Sequence, residues 1–171
     1  CEASKTGTMV TFLPDPEIFE ETVFDFHILK HRFREIAFLT KGLKIIATDK
    51  REEEPKEVVF HYEGGIKEFV QYLNRSNTPL YDDILYFEGT KDGVMVEVAM
   101  QHNDAYTENS YGFVNNITTP EGGTHIMGFR NAITKTFNEY AKKNKLLKEN
   151  DANLTGEDIR EGLTAIISVK I

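Results

Sequence analysis

Asp92-Gly93 separates two candidate strands, Ile84 to Glu88 and Val94 to Gln101, and in the second of them Val94, Val96, Val98 and Met100 recur at a period of two. An Asp-Gly pair in that setting is the strongest short signal for a two-residue hairpin, because both turn positions require positive φ. This stretch must therefore form an antiparallel ladder with one face turned to a core. Asn109 to Val114 reads as a third strand, and the apolar, β-branched run Leu163 to Ile171 as a last one. Upstream, Leu43 to Thr48 and Glu57 to Tyr62 form a second hairpin across the charged turn 49–56. Thr8 to Phe12 alternates polar and apolar residues before the breakers Pro14 and Pro16, which predicts a short strand and an abrupt turn.

Helical spacing fills the gaps. Ile28, Leu29, Phe33, Ile36 and Ala37 recur at helical period behind Asp25, a good N-cap, and ahead of Gly42, which predicts a helix over Phe26 to Thr40. Ile66, Phe69, Val70 and Leu73 make a second amphipathic stripe ending near Asn74. Ile126, Phe129, Ile133, Phe137 and Tyr140 mark the longest helix, Thr124 to Asn144, beyond a polar connection from Asn115 to Gly123. Thr155 and Asp158 have capping-box spacing. Antiparallel hairpins mixed with helices covering one face give an α+β domain.

The 171 residues suffice for one domain with a sizeable core. No apolar window is long enough for a membrane span, and no basic stretch leads into an apolar run as in a secretory signal, so a soluble, cytoplasmic protein is expected. One cysteine allows neither an internal disulfide nor a thiolate metal cluster. Twenty Lys+Arg against 28 Asp+Glu give a net charge of −8, which repels nucleic acid unless positive charge is concentrated locally. It is concentrated in two places. Residues 27–51 hold seven cations against Glu35 and Asp49, and residues 125–148 hold six, among them Arg130 and Lys135, against Glu139. Solvated helix faces would produce the same pattern.

Sites of chemistry are sparse. His27, His31 and Glu35 share a helical face with metal-ligand spacing, but Lys30, Arg32 and Arg34 crowd the same helix, which favours a solvated polar face. Gly64-Gly65 and Gly122-Gly123 each precede a helix, where exposed amides can meet an anion, yet neither belongs to a nucleotide-binding pattern and tight turns explain both. Cys1 with His125 as base is a remote nucleophile reading, and no catalytic motif accompanies it. Arg130 lies one turn beyond Ile126 at the margin of the apolar stripe, so its stem can pack while its guanidinium emerges near the Gly122-Gly123 loop and offers a cation to a phosphate backbone.

A set of motifs points further. Thr6-Gly-Thr-Met-Val-Thr-Phe-Leu-Pro-Asp15, Arg34-Glu-Ile-Ala-Phe-Leu39, His61-Tyr-Glu-Gly-Gly-Ile66, Asn115-Asn-Ile117, Glu121-Gly-Gly-Thr-His125 and Thr155-Gly-Glu-Asp-Ile-Arg-Glu-Gly-Leu-Thr-Ala-Ile-Ile-Ser-Val-Lys170 together resemble the DNA gyrase B family, in the right order and over essentially the whole chain. The resemblance implies that residues 1–14 are the last strand of an upstream GHKL ATPase domain and residues 15–171 a transducer domain. Its implied fold is the ribosomal-protein-S-five-like one, with a left-handed β-α-β crossover, and its role is to couple ATP binding and hydrolysis to DNA strand passage and negative supercoiling. Arg130 matches an arginine lining a DNA-holding cavity between paired transducers, with Lys135 and Arg160 as further members of that surface. Gyrase A, a second copy of gyrase B and DNA are the implied partners, with no membrane.

The family's Gln-Thr-Lys loop would follow Ile171, and its ATP- and magnesium-binding residues lie upstream. This chain alone is therefore expected to bind no cofactor and to be inactive, while a parent would use ATP and magnesium. The segment Thr8 to Phe12, without its native sheet, is expected to pair with another copy or to lack order. Two other readings stay open. The corresponding protein of topoisomerase IV shares most of these motifs, His61 to Ile66 tilting toward gyrase. A stand-alone binding module or small enzyme of the same fold would need its own phosphate loop or catalytic pair, and a polar outer face on the strand Leu163 to Val169.

Overall fold

The structure is a computed structural model that describes residues 7–148 and 150–171. Helix α1, Phe26–Leu39, starts where the Asp25 carboxylate accepts hydrogen bonds from the amides of His27 (2.6 Å) and Ile28 (3.3 Å). Its buried C-terminal turn inserts Phe38 between Tyr62 and Phe69, with ring centroids 3.7 and 4.7 Å away. Strands β1 (Lys44–Asp49) and β2 (Lys56–His61) pair antiparallel as a separate two-stranded ribbon against α1, and helix α2 (Ile66–Asn74) follows.

Strands β3 (Leu85–Lys91) and β4 (Val94–His102) are joined by the expected turn, with Asp92 and Gly93 at φ 51° and 81°. Next come β5 (Asn109–Val114), the short β6 (Ile117–Thr118), helix α3 (Thr124–Lys143), helix α4 (Gly156–Arg160) and β7 (Leu163–Lys170). The five-stranded sheet has the order β3-β4-β7-β5-β6. Strand β7 lies in its middle, antiparallel to β4 and parallel to β5. The chain is thus α+β, as expected.

Four expectations need correction. The helices cover both faces of the large sheet: Ala99, Phe113 and Ile166 pack toward α1 and α2, while Met100, Ala165, Ile167 and Val169 pack with Ile126 and Ile133 of α3 and Ile159 of α4. The cause is β7, whose apolar residues fall on both sides of the pleat and so require two covers. For the same reason Leu163 to Val169 needs no polar outer face, and its apolarity is satisfied within the chain. Thr8 to Phe12 is no strand among the described residues. It lies exposed without a ladder partner, Phe12 meeting only Phe24 among aromatic rings, edge-on at 6.0 Å. Tyr140, expected in the α3 stripe, is 62% exposed, and Asn138 and Ala141 are buried instead.

Candidate nucleic-acid interface

The second basic segment lies on α3, whose inner face is fixed by Ile126 and Ile133 against β7. The chain after α3 returns and is clamped to it by one side chain. Asn138 donates to the Leu154 carbonyl (2.9 Å) and accepts from the Leu154 amide (2.8 Å), which sets the segment before α4 alongside α3. The Thr155–Asp158 capping box starts α4 there, both reciprocal bonds being present. Gly162, at φ 67° and with the Asn103 and Ala105 carbonyls where a Cβ would stand, turns the chain sharply into β7. A side chain at this point would meet both strain and backbone.

Between α3 and the returning segment runs an open groove of about 570 Å³. Lys135, Lys142 and Arg160 line it against the single acid Glu139, with amides and a hydroxyl from Asn131, Asn138, Asn153 and Thr134 between them. Lys135 is 76% exposed and stands 3.8 Å from Glu139. Arg130 is not part of this wall. Five residues along a helix separate Arg130 from Lys135 by roughly 140° about the axis, so the two cannot share one face. Arg130 joins the site through Glu108, just before β5, whose two carboxylate oxygens each accept one arginine Nε at 2.9 Å, Arg130 on one and Arg160 on the other.

Burial would raise the Glu108 pKa, but the hydrogen bonds to its carboxylate, those from the two guanidiniums among them, outweigh it and hold the carboxyl below its ordinary value. The structure therefore brings all three expected cations to one region, Lys135 with Arg160 across the groove and Arg130 with Arg160 across Glu108. The sequence reading missed Glu108 because its partners are 22 and 52 residues away. It also missed Lys142 as a groove residue, although its position seven residues after Lys135 is two turns along the same face. The arrangement presents cations and amide donors along a trough, which suits a polyanion's backbone.

The other candidates are used internally. Glu35 receives Arg32 at 3.1 Å and His31 at 3.7 Å. Among the described residues no three His, Cys, Asp or Glu side chains gather as a metal site. The Gly64 amide donates to Glu68 and the Gly122 amide to the Thr119 carbonyl, so the first glycine of each pair closes a turn. His125 holds Thr119 at 2.9 Å, and Cys1 lies outside the described residues.

Residues 65–171 match the family model described as DNA gyrase B. The chain belongs to the DNA gyrase B family. The gyrase B protein of Bacillus cereus is 55% identical over 170 residues, 99% of this chain and 42% of that protein, and the one from Clostridium acetobutylicum is 54% identical over 26% of its length. The family's boundary with its sister enzyme is narrow, since the B subunit of DNA topoisomerase 4 from Enterococcus faecalis is 56% identical over 98% of this chain. In structure, the 43K ATPase domain of Thermus thermophilus gyrase B, solved with an aminocoumarin, superimposes with a TM-score of 0.80 at 39% identity, covering 92% of this chain and 43% of that one. The chain thus spans about two fifths of its Bacillus relative and a quarter of longer ones. None of its described helices is long and apolar enough to cross a membrane.

Proposed function

We propose that this chain is the transducer region of the ATPase subunit of a type II DNA topoisomerase, gyrase by preference, working in the cytoplasm. In this reading residues 15–171 are the transducer, on a ribosomal-protein-S-five-like fold with a left-handed crossover, and residues 1–14 belong to an upstream ATPase domain. It relays ATP-driven closure of a gyrase B pair to DNA held against α3, and gyrase A carries out the cleavage. One observation carries the proposal: a groove walled by Lys135, Lys142 and Arg160, with Arg130 adjoining, on a chain whose net charge is −8. Positive charge concentrated against that background has a polyanion as its natural ligand.

ATP and magnesium belong to the parent protein in this proposal. The Gly64 amide is engaged by Glu68 and the Gly122 amide by the Thr119 carbonyl, which supports reading these glycines as turn formers. No ATP hydrolysis is expected from the chain by itself. The test is duplex DNA affinity of the chain and of Arg130→Ala across a salt series. Binding that fades with salt and falls further with the substitution supports the reading, while a folded chain with no affinity at low salt refutes it for this chain.

A second reading, topoisomerase IV, is favoured by the Enterococcus relative, as similar as any gyrase named above. Supercoiling by the full-length protein together with its DNA-cleaving partner decides between them. Negative supercoils mean gyrase, and relaxation with decatenation alone means topoisomerase IV.

A further inference from the structure

We propose that Glu108 is a positioning residue that holds Arg130 and Arg160 as a single two-guanidinium clamp for one phosphate group of DNA. This rests on the DNA reading above and deepens it. Each arginine gives Glu108 only its Nε, at 2.9 Å, one to each carboxylate oxygen. Among the described residues the terminal nitrogens of both guanidiniums make no further hydrogen bond. An arginine bound through Nε alone keeps its outer N–H groups for a second acceptor, and a phosphate has the oxygens to take donors from both forks.

Holding two cations at one carboxylate also solves a repulsion problem. Both Nε atoms sit on oxygens of the same group, so the two guanidiniums are close neighbours, and without the negative charge between them they would drive each other apart. Arg160 has little freedom to move. Its side chain is 17% exposed and lies over Gly156, in the space a Cβ would fill there. Arg130, at 43% exposed, is the one that would swing away. Glu108 itself is 19% exposed, Arg130 is the more exposed of its two partners, and Arg160 lines the open groove.

Simple electrostatics predicts the opposite effect. If Glu108 were merely a negative charge near DNA, its removal would tighten binding and steepen the salt dependence by about one counterion. Positioning predicts that removal weakens binding in spite of the gained net positive charge, because the ordering of Arg130 must then be supplied during association.

The experiment measures affinity of the chain for a short DNA duplex at low salt, with Glu108→Gln, Glu108→Asp, Arg130→Ala and the Glu108→Gln/Arg130→Ala double variant, alongside thermal unfolding of each. Ile133→Val, a core change beneath the same helix, sets the size of any loss due to destabilisation alone. Glu108→Gln is expected to bind about threefold to tenfold more weakly, and the penalty of Arg130→Ala to shrink from about tenfold to under about twofold in its background. Glu108→Asp is expected to recover part of the loss. Tighter binding by Glu108→Gln with an undiminished Arg130→Ala penalty overturns the proposal, as does a loss no larger than that of Ile133→Val. If the folded wild-type chain binds no DNA, the DNA reading itself fails and this inference with it, before any variant is compared.

Discussion

The two basic segments carry nearly the same surplus of positive charge and use it in opposite ways. In residues 27–51 the arginines are built into the fold. Arg34 lies over the rings of Phe60 and Tyr72, at 5.6 and 4.9 Å, and donates to the Tyr72 hydroxyl at 2.7 Å. Arg32 reaches the Asn116 carbonyl at 2.7 Å, and Arg51 reaches the Phe24 carbonyl and the Asp49 carboxylate. The Arg51 side chain, together with its backbone amide, holds the Asp49 carboxyl down to about 2. In residues 125–148 the cations after Arg130 are lysines, and Lys142, Lys143 and Lys145 are exposed at the C-terminal end of α3. A guanidinium stacks and forks, so it becomes structure wherever aromatics and carbonyls are near, whereas an ammonium keeps its water until a stronger anion arrives. Equal charge therefore does not mean equal availability.

The largest effect that would break this contrast lies beneath α1. Phe38→Ala empties the stack between Tyr62 and Phe69 and should cost about 3–5 kcal/mol in urea unfolding, against less than about 0.5 for Tyr140→Ala on exposed α3 surface. Arg34→Ala should follow at about 2 kcal/mol, since it removes stem packing, two ring contacts and the partner of a hydroxyl. Arg34→Lys should restore less than half of that, because an ammonium cannot fork. Similar costs for Arg34→Ala and Lys142→Ala would end the distinction between the segments.

A smaller, pH-dependent effect sharpens the contrast at its one exception, the arginines that share Glu108. Burial opposes ionisation, but the hydrogen-bonding environment of the carboxylate, Ser110 first and the two guanidiniums with it, favours the charged form and holds the folded carboxyl below its ordinary value of about 4.5. A depressed folded pKa stabilises the protein above the unfolded value, and that contribution disappears as pH falls through the folded one. Unfolding free energies of wild type and Glu108→Gln should therefore differ most above the ordinary carboxylate value of about 4.5 and converge as pH falls well below it. A gap that stays constant over this range would mean that the carboxylate is not held in its charged form.

Local signals were readable in the sequence, and long-range ones were not. The Asp92-Gly93 turn, the Asp25 cap and the Thr155–Asp158 box each act within four residues, and each is present as expected. Apolar spacing located the three longer helices, because burial imposes the period. The position of β7 in the middle of the sheet was hidden, since a two-sided apolar strand looks the same at an edge until its neighbours are known. Thr8 to Phe12 shows the converse: alternation states a preference, and a strand exists only with a partner to bond. In the site, Arg130, Lys135 and Arg160 could be named from the resemblance and the charge pattern. Glu108 could not, as a lone acid in a polar turn says nothing about two arginines distant in sequence.

The smallest effect on stability is also the most direct test of availability. Lys142→Gln with Lys143→Gln should leave the unfolding midpoint nearly unchanged, within about 0.5 kcal/mol, because neither side chain is buried. On duplex DNA the pair should weaken affinity about equally for all sequences and reduce the salt slope by about one for each lysine that meets a phosphate. Lys142 lines the groove and Lys143 does not, so a slope change near one places the DNA in the groove, and a change near two extends it over the outer face of α3. The matching substitutions Lys44→Gln and Lys50→Gln, on exposed lysines of the first segment, should leave both affinity and slope unchanged. If they lower the slope as much as the α3 pair, DNA contacts both segments, and the contrast between them is one of arginine against lysine rather than of one surface against the other.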